Sequence, residues 1–497
     1  MITMKRSAGI LMALSSLPSR YGIGTMGRAA YEFVDFLAQA KQSWWQLLPL
    51  GPTTYGDSPY SSPSSFAGNP YFIDPDMLVS EGLLERAELE GIDWGGDSAR
   101  VDYAAVYEHR FDILRRAFER APSELLEEAE KFHLDNRSWL DNYALYMSLK
   151  VNFGQVSWTE WPDDIRLRKT GAVEYYTEKL SGEISFWIFV QFLFFRQWNA
   201  LKSYAHGKGI RFIGDIPIYM AMDSAEVWSE PEFFLLDENC VPTVVSGVPP
   251  DEFTEDGQLW GNPIYDWEKM RSDGFRWWKR RIGGASALFD VIRIDHFRGL
   301  ASYWAVPYGD KTARNGVWRE GPGIGLVRAL KEWFPTLDFI AEDLGYPTPE
   351  VAKLVEDSGF PGMNVLQFGF EADNDSMFMP HYIRINNVCY IGTHDNDTAV
   401  GWLDSLSGED LEFFDEYTHH TGDESRCRTL IRTGMASPAR LFVLTMQDAL
   451  ELPSDCRMNT PGSPSGNWRW RMLPGAASHE LARELAHLTC LYRRAEQ

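Results

Sequence analysis

"DVIRIDHFRG", residues 290–299, sets an apolar run of Val291, Ile292 and Ile294 directly against Asp295, His296 and Arg298, with Arg293 inside the run. A strand this apolar is covered on both faces, and a charge leaving it needs a partner or a task. The same design recurs in "AGILMAL", "WWQLLPLGP", "IRFIGDIPIY", "DFIAEDLGY", "MNVLQFGF", "VCYIGTHDN" and "LFVLTMQD". Most of these runs are uninterrupted rather than alternating, which is the mark of a parallel sheet sandwiched between helices. Helical stretches lie between them, among them "AAYEFVDFLAQAK", the span from Ile184 to His206, and "GLVRALKEWF". Eight strands with intervening helices predict an α/β fold, a (β/α)8 TIM barrel. The alternative is a doubly wound sheet, but no Gly-rich phosphate loop follows the first strand.

A chain of 497 residues is long for one plain barrel, so the reading is a single barrel over 1–497 with large insertions. The first insertion, 52–209, is mostly helical and carries the Trp/Tyr-rich stretch "NRSWLDNYALYMSLKVNF". The second, 219–289, has loop composition, and its segment 246–263 is expected to form a lid. Long insertions between barrel strands build the active-site rim. "ISFWIFVQFLFF", 184–195, contains Gln191 and is too short to span a bilayer, so it reads as a buried helix. The opening "MKRSAGILMALSSLPS" has the look of a signal peptide, but reads equally well as a first strand entering a Ser/Pro loop.

The formal charge of −24 argues against nucleic-acid and anionic-membrane partners and favours a neutral or cationic ligand. Aromatic residues reach 14%, with 19 Trp and 21 Tyr. Such an excess serves either a large-residue core or the apolar C–H faces of sugars. Cys240, Cys389, Cys427, Cys456 and Cys490 are odd in number and widely spaced, with no CxxC pair. That fits a reducing cytosol, hence a cytoplasmic location, and offers no zinc site.

The strand ends supply the chemistry. Asp215 ends "IRFIGD", Asp295 ends "VIRID", Glu342 ends "DFIAE" and Asp395 follows "YIGTH". In a barrel these ends share the face where active sites lie. One such carboxylate is usually a cap or an ion-pair partner, but four at four strand exits form a candidate site. Oxygen clusters of this kind also suit Mg²⁺ or Ca²⁺. Against a metal, the same exits carry Arg293, His296, Arg298 and His394. A cation beside Asp295 is expected to keep it ionised, while a carboxyl pressed among carboxylates has its pKa raised. Those are the two environments that glycoside chemistry requires.

"RIDHFRG", "AEDLG" and "THDN" resemble the catalytic segments of the amylomaltases, the 4-α-glucanotransferases of glycoside hydrolase family 77. "LPLGPT…GDSPYSSPSSFAGNPYFID", "GDIPIYMAMDSAEVW", "GVPPDEFTEDGQLWGNPIYDW" and "RMNTPGSPSGNWRWR" are similar to that family in order and spacing, so the likeness runs from about Leu17 to Arg471. The resemblance implies Asp295 as nucleophile, Glu342 as general acid/base and Asp395 as the group that grips sugar hydroxyls. It implies Arg293, His296, His394 and Tyr60 around the sugar at the cleavage point. Asp215 and Asn459 would line the donor cleft, with Asp251, Trp260, Asn262 and Gly462 as further substrate contacts. Tyr55 and Tyr103 stand where family members carry a second glucan site. Its partners would be α-1,4-glucans (maltooligosaccharides, amylose, starch or glycogen), with glucose as an acceptor, and it would use no cofactor and no metal. The chain departs from the family at "ALSSLPS", where a histidine and a proline usually precede "SLPS"; this leaves the donor side near Ser15 and Ser16 open. Three rivals stand beside this reading: an α-amylase-type hydrolase, a non-catalytic glucan-binding protein and a metal-dependent barrel enzyme.

Overall fold

The structure is a computed structural model that describes residues 5–54, 56–250, 254–345, 348–463 and 465–495. Eight strands form one parallel sheet: β1 (Ser7–Leu11), β2 (Trp44–Gln46), β3 (Arg211–Ile216), β4 (Val291–Ile294), β5 (Asp338–Ala341), β6 (Gly362–Val365), β7 (Asn387–Tyr390) and β8 (Leu441–Thr445). Each coincides with one of the eight apolar runs, starting at most one residue before it. They neighbour one another in chain order, and β8 returns to pair with β1 from Ser7↔Leu441 to Leu11↔Thr445. The circle closes between β5 and β6, where the Ala341 N–H donates to the Pro361 carbonyl at 2.9 Å. The fold is the expected TIM barrel.

Alternation along each strand explains why the runs look uninterrupted. Leu11, Ile213, Val291, Ile340, Val365, Tyr390 and Val443 pack together inside the barrel. Their neighbours Ile10, Phe212, Ile292, Phe339, Cys389 and Phe442 join the layer between barrel and helices. Both faces are dry, so both registers are apolar.

The helices follow suit. Arg28–Gln39 buries Phe33, Val34, Phe36 and Leu37 on one side. The stretch "ISFWIFVQFLFF" lies in the helix Ser181–Gly207, which sets Trp198 against Phe212 of β3 at 4.9 Å. Gln191 is buried there because its amide serves both polar groups of one residue: it accepts from Gly68 N–H at 2.8 Å and donates to Gly68 C=O at 2.9 Å. Among the described residues, no helix is long and apolar enough to cross a membrane.

Between β2 and β3, the helices Tyr103–Glu119, Ser123–Asn152 and Ser181–Gly207 are the longest elements of the inserted chain. Asp223, after β3, ties the second of these down, accepting from Lys150 Nζ at 2.7 Å and from Trp158 N–H at 3.2 Å. The segment 246–263, read from sequence as a loop, contains two strands. Val244–Val248 and Gln258–Pro263 pair antiparallel. The first also pairs with Ser302–Pro307, which pairs with Val317–Glu320, giving a four-stranded sheet over the barrel mouth. The last two strands come from a further insertion after β4 that the sequence reading did not anticipate.

Candidate active site

Strand alternation aims the site residues. On β4, Val291 and Arg293 point inward, so Asp295 continues the inward row to the mouth. On β3, Ile213 and Asp215 do the same, and the register sets Asp215 beside Arg293. The Arg293 guanidinium therefore bridges two carboxylates. One nitrogen donates to Asp215 Oδ2 and, at 3.1 Å, to Asp295 Oδ1. Asp215 is fully covered, whereas the Asp295 side chain keeps 29% of its surface open.

The exits of β3, β4 and β5 are laced together beyond the strands. Asp295 N–H donates to Ile216 C=O at 3.0 Å, Glu342 N–H to Ile294 C=O at 3.1 Å, and Phe297 N–H to Glu342 C=O at 2.9 Å. Between them His296 adopts the left-handed conformation at φ 49°. That turn, uncommon for a residue other than glycine, aims the His296 N–H at Glu342 Oε2, 2.7 Å away. Leu344 N–H holds the other oxygen at 2.9 Å. The Glu342 carboxyl thus rests on two backbone donors.

From the far side, Tyr60 and His394 close the group. Tyr60 Oη donates to Asp215 Oδ2 at 2.9 Å and meets His394 Nε2 at 2.8 Å. A hydroxyl has one proton, so His394 must donate from Nε2 to Tyr60. The same nitrogen lies 3.4 Å from Asp395 Oδ2. The Tyr60 and His394 rings stack at 5.2 Å, and Trp468 leans on both. Asp395 is held by Asn459 Nδ2 at 2.6 Å, while Asn459 N–H donates to His394 C=O at 3.0 Å.

Electrostatics distinguish these groups. Burial pushes the Glu342 carboxyl up to about 7, against the pull of Arg293 and the two backbone donors. Burial also raises Asp295, helped by Asp215, Glu342 and Asp395 and opposed by Arg293. The expectation that one cation would keep Asp295 ionised therefore meets a complication: the guanidinium is shared with Asp215. Burial lowers both imidazoles, His296 to about 3, so at neutral pH they serve as uncharged donors and acceptors.

Trp260 lies on the second strand of the hairpin, 38% exposed, with its ring edge-on to His296 at 4.7 Å. It belongs to the cleft and not to the core. The Asn262 amide is engaged in holding that strand, donating to Met220 C=O at 3.0 Å and accepting from Ser246 Oγ at 3.2 Å. Gly462 occupies an exposed turn at φ 79°. Tyr103 is half-buried and donates to Trp468 C=O at 2.9 Å. Tyr55 and Asp251 lie outside the described residues. At the departure from the family pattern, Ser16 is buried and donates to Trp470 C=O at 2.7 Å. Two participants were not singled out from sequence: Trp468, and Arg457, which donates to the carbonyls of Asp395 and Asn459. Their signal was proximity, since both sit within ten residues of Asn459 in one motif block. Among the described residues, no group of three or more His, Cys, Asp or Glu side chains is arranged to hold a metal ion.

Acidic groups in two electrostatic settings at the carboxyl end of a parallel barrel define a carboxylate-driven glycoside enzyme. The family model of glycoside hydrolase family 77, 4-α-glucanotransferase, matches residues 12–476. The 4-α-glucanotransferase of Streptococcus pneumoniae serotype 4 is 47% identical over 99% of this chain and 98% of its own. That of Thermus thermophilus is 46% identical over 96% and 97%. The amylomaltase from Streptococcus agalactiae, solved in complex with acarbose, superposes with a TM-score of 0.97 at 39% identity, covering 99% of this chain and 100% of that one. The chain therefore belongs to glycoside hydrolase family 77 and is active as a 4-α-glucanotransferase.

Proposed function

We propose that Asp295 is the nucleophile and Glu342 the general acid/base of a retaining double displacement on α-1,4-glucans. Glu342 protonates the glycosidic oxygen while Asp295 attacks the anomeric carbon. The bond to the leaving oxygen breaks, the reducing-side fragment departs, and a β-glycosyl ester on Asp295 remains. The 4-hydroxyl of a second glucan, or of glucose, then gives its proton to Glu342 and attacks the ester carbon. Two inversions restore the α bond. The energy of the broken bond is kept in the ester, so no nucleotide, redox group or metal takes part in any step.

Around this pair, Asp395 grips sugar hydroxyls, with Asn459 and His394 orienting it. Arg293 supports Asp295 from below. Asp215 acts through Arg293 and Tyr60, since its own side chain is covered. Tyr60, His296 and Trp260 face the sugars. The observation that carries the reading is the unequal setting of the two carboxyls: Arg293 touches Asp295 at 3.1 Å, while Glu342 sits on two N–H groups and is pushed up to about 7. Burial raises both carboxyls, and the guanidinium in contact with Asp295 favours leaving that group ionised with the pair's one proton on Glu342, as the first step demands. Maltooligosaccharides, amylose, starch or glycogen are the substrates this cleft would take.

The test is incubation with maltotriose. Glucose together with a ladder of longer maltodextrins is expected, and folded Asp295→Asn enzyme should form neither. Glucose and maltose alone would make the chain a hydrolase, and turnover by Asp295→Asn would remove the assigned nucleophile.

A further inference from the structure

The strand Val317–Glu320 is exposed at every position. Its outer residues Arg319 and Glu320 are charged, as an edge strand in water requires. Yet position 318 is a tryptophan with 43% of its surface open. An indole half open on an edge strand presents a large apolar face that a ligand can cover. Its surroundings hold it in a fixed pose. Trp304 of the adjacent strand, directly opposite in register, meets it edge-on at 5.2 Å. Trp304 is itself fixed by its Nε1–H donating to Ala313 C=O at 2.8 Å. The Arg298 guanidinium lies over the Trp318 ring, 4.3 Å from its centroid.

Arg298 connects this ring to the catalytic mouth. It stands two residues after His296 in the β4 exit turn, and its charge is felt at Glu342. His296 meets Trp260. Two exposed indoles are thus attached to the same strand exit, Trp260 through His296 and Trp318 through Arg298. Trp260 was expected from the sequence; Trp318 was not.

We propose that Trp318 is an acceptor-side sugar platform, on which the reducing-side units of an incoming α-1,4-glucan stack while its terminal 4-hydroxyl is presented to the glycosyl-enzyme. This rests on the assignment of Asp295 and Glu342 above. A glucopyranose ring has an apolar C–H face that matches an indole, and the Arg298 clamp orients the ring before the sugar arrives, so little rotamer freedom is lost on binding. The platform lies beyond the unit that reacts. It therefore serves oligosaccharide acceptors and contributes little for glucose, which has no further units to stack.

The test uses α-maltosyl fluoride as donor, with glucose or labelled maltotetraose as acceptor, and wild-type, Trp318→Ala and Trp318→Phe enzymes. The first-turnover burst of fluoride reports glycosylation of Asp295, and labelled product in the steady state reports transfer. Trp318→Ala should raise the KM for maltotetraose by about three- to tenfold, in the range of one aromatic contact. The KM for glucose should move less, and Trp318→Phe should recover most of the loss. An unchanged KM for maltotetraose overturns the proposal. A slower first-turnover burst of fluoride, or a displaced alkaline limb of its pH profile, also overturns it, because Trp318 would then act by holding Arg298 beside Glu342. Trp318→Phe keeps the test valid if the alanine variant does not fold. Absence of fluoride release in the wild type would instead remove the assignment of Asp295.

Discussion

Arg293 is one guanidinium serving two carboxylates, and that arithmetic governs the pH behaviour. Burial and the neighbouring acids push both Asp295 and Glu342 upward, so the pair takes up protons in shared steps and not one residue at a time. The productive form has one proton on Glu342 and none on Asp295. Adding a second proton removes the nucleophile, so activity falls on the acid side. Removing the last proton as pH rises removes the acid, so activity falls there too. A bell-shaped profile of kcat/KM on maltotriose is expected, with both limbs above the ordinary carboxylate range. Glu342→Gln should slow turnover of natural glucans by at least about 100-fold, the lower range of general acid catalysis. With α-maltosyl fluoride, whose leaving group needs no proton, the first step should survive and its alkaline limb should vanish. If both donors suffer equally, Glu342 is not the acid. The sequence made these residues legible because charges at the ends of buried strands have few innocent explanations. It did not reveal the shared guanidinium, because that depends on the Asp215↔Arg293 register between strands far apart in the chain.

The hairpin Val244–Val248 and Gln258–Pro263 illustrates the opposite case. Its second strand is exposed at Leu259, Trp260 and Gly261, and carries neither a buried run nor a clean alternation. The opposite edge strand of the same sheet, Val317–Glu320, is exposed throughout. Periodicity reads burial, so strands with so little buried side chain were invisible, while the eight barrel strands, dry on both faces, were plain. What the composition did expose was an aromatic on a Gly/Pro-rich segment over the cleft. A transferase has to favour a sugar over water at the second step, by excluding water and seating the acceptor. Trp260, fixed against His296 and carried by a strand that Asn262 anchors to Met220, can do both. Trp260→Ala should lower the ratio of transfer to hydrolysis by about three- to tenfold while leaving Asp295 open to glycosylation. Reducing ends measured against chain-length redistribution from one maltooligosaccharide give this ratio. The same ratio in a folded variant would move water exclusion elsewhere, most plainly to the inserted chain between β2 and β3.

The whole barrel depends on how its circle closes. Seven neighbouring strand pairs share regular ladders, but β5 and β6 do not. The exit of β5 is occupied by Glu342, whose backbone is committed to β4 through Ile294 and Phe297. The seam is completed by a side chain: Asp343 Oδ1 accepts from Met363 N–H at 2.8 Å, one step beyond the Ala341–Pro361 bond. Gly362 makes room for it, since a Cβ there would fall 2.3 Å from Asp343 Oδ2. The residue that follows the proposed acid thus fastens the barrel at the point where the acid emerges. Asp343→Ala should leave the Met363 N–H without its acceptor and cost about 1–3 kcal/mol. Because the next residue back is Glu342, kcat should fall as well. Asp343→Asn keeps an acceptor oxygen in place, and burial already raises the carboxyl, so the neutral amide should cost far less. Gly362→Ala should destabilise the protein from the other side of the seam by forcing Asp343 to move. Urea midpoints for the three variants separate a closure role from general packing. If Asp343→Asn loses as much as Asp343→Ala, charge and not hydrogen bonding holds the seam. If Gly362→Ala unfolds at the wild-type midpoint, the seam has slack, and Asp343 cannot be what fixes the direction of Glu342.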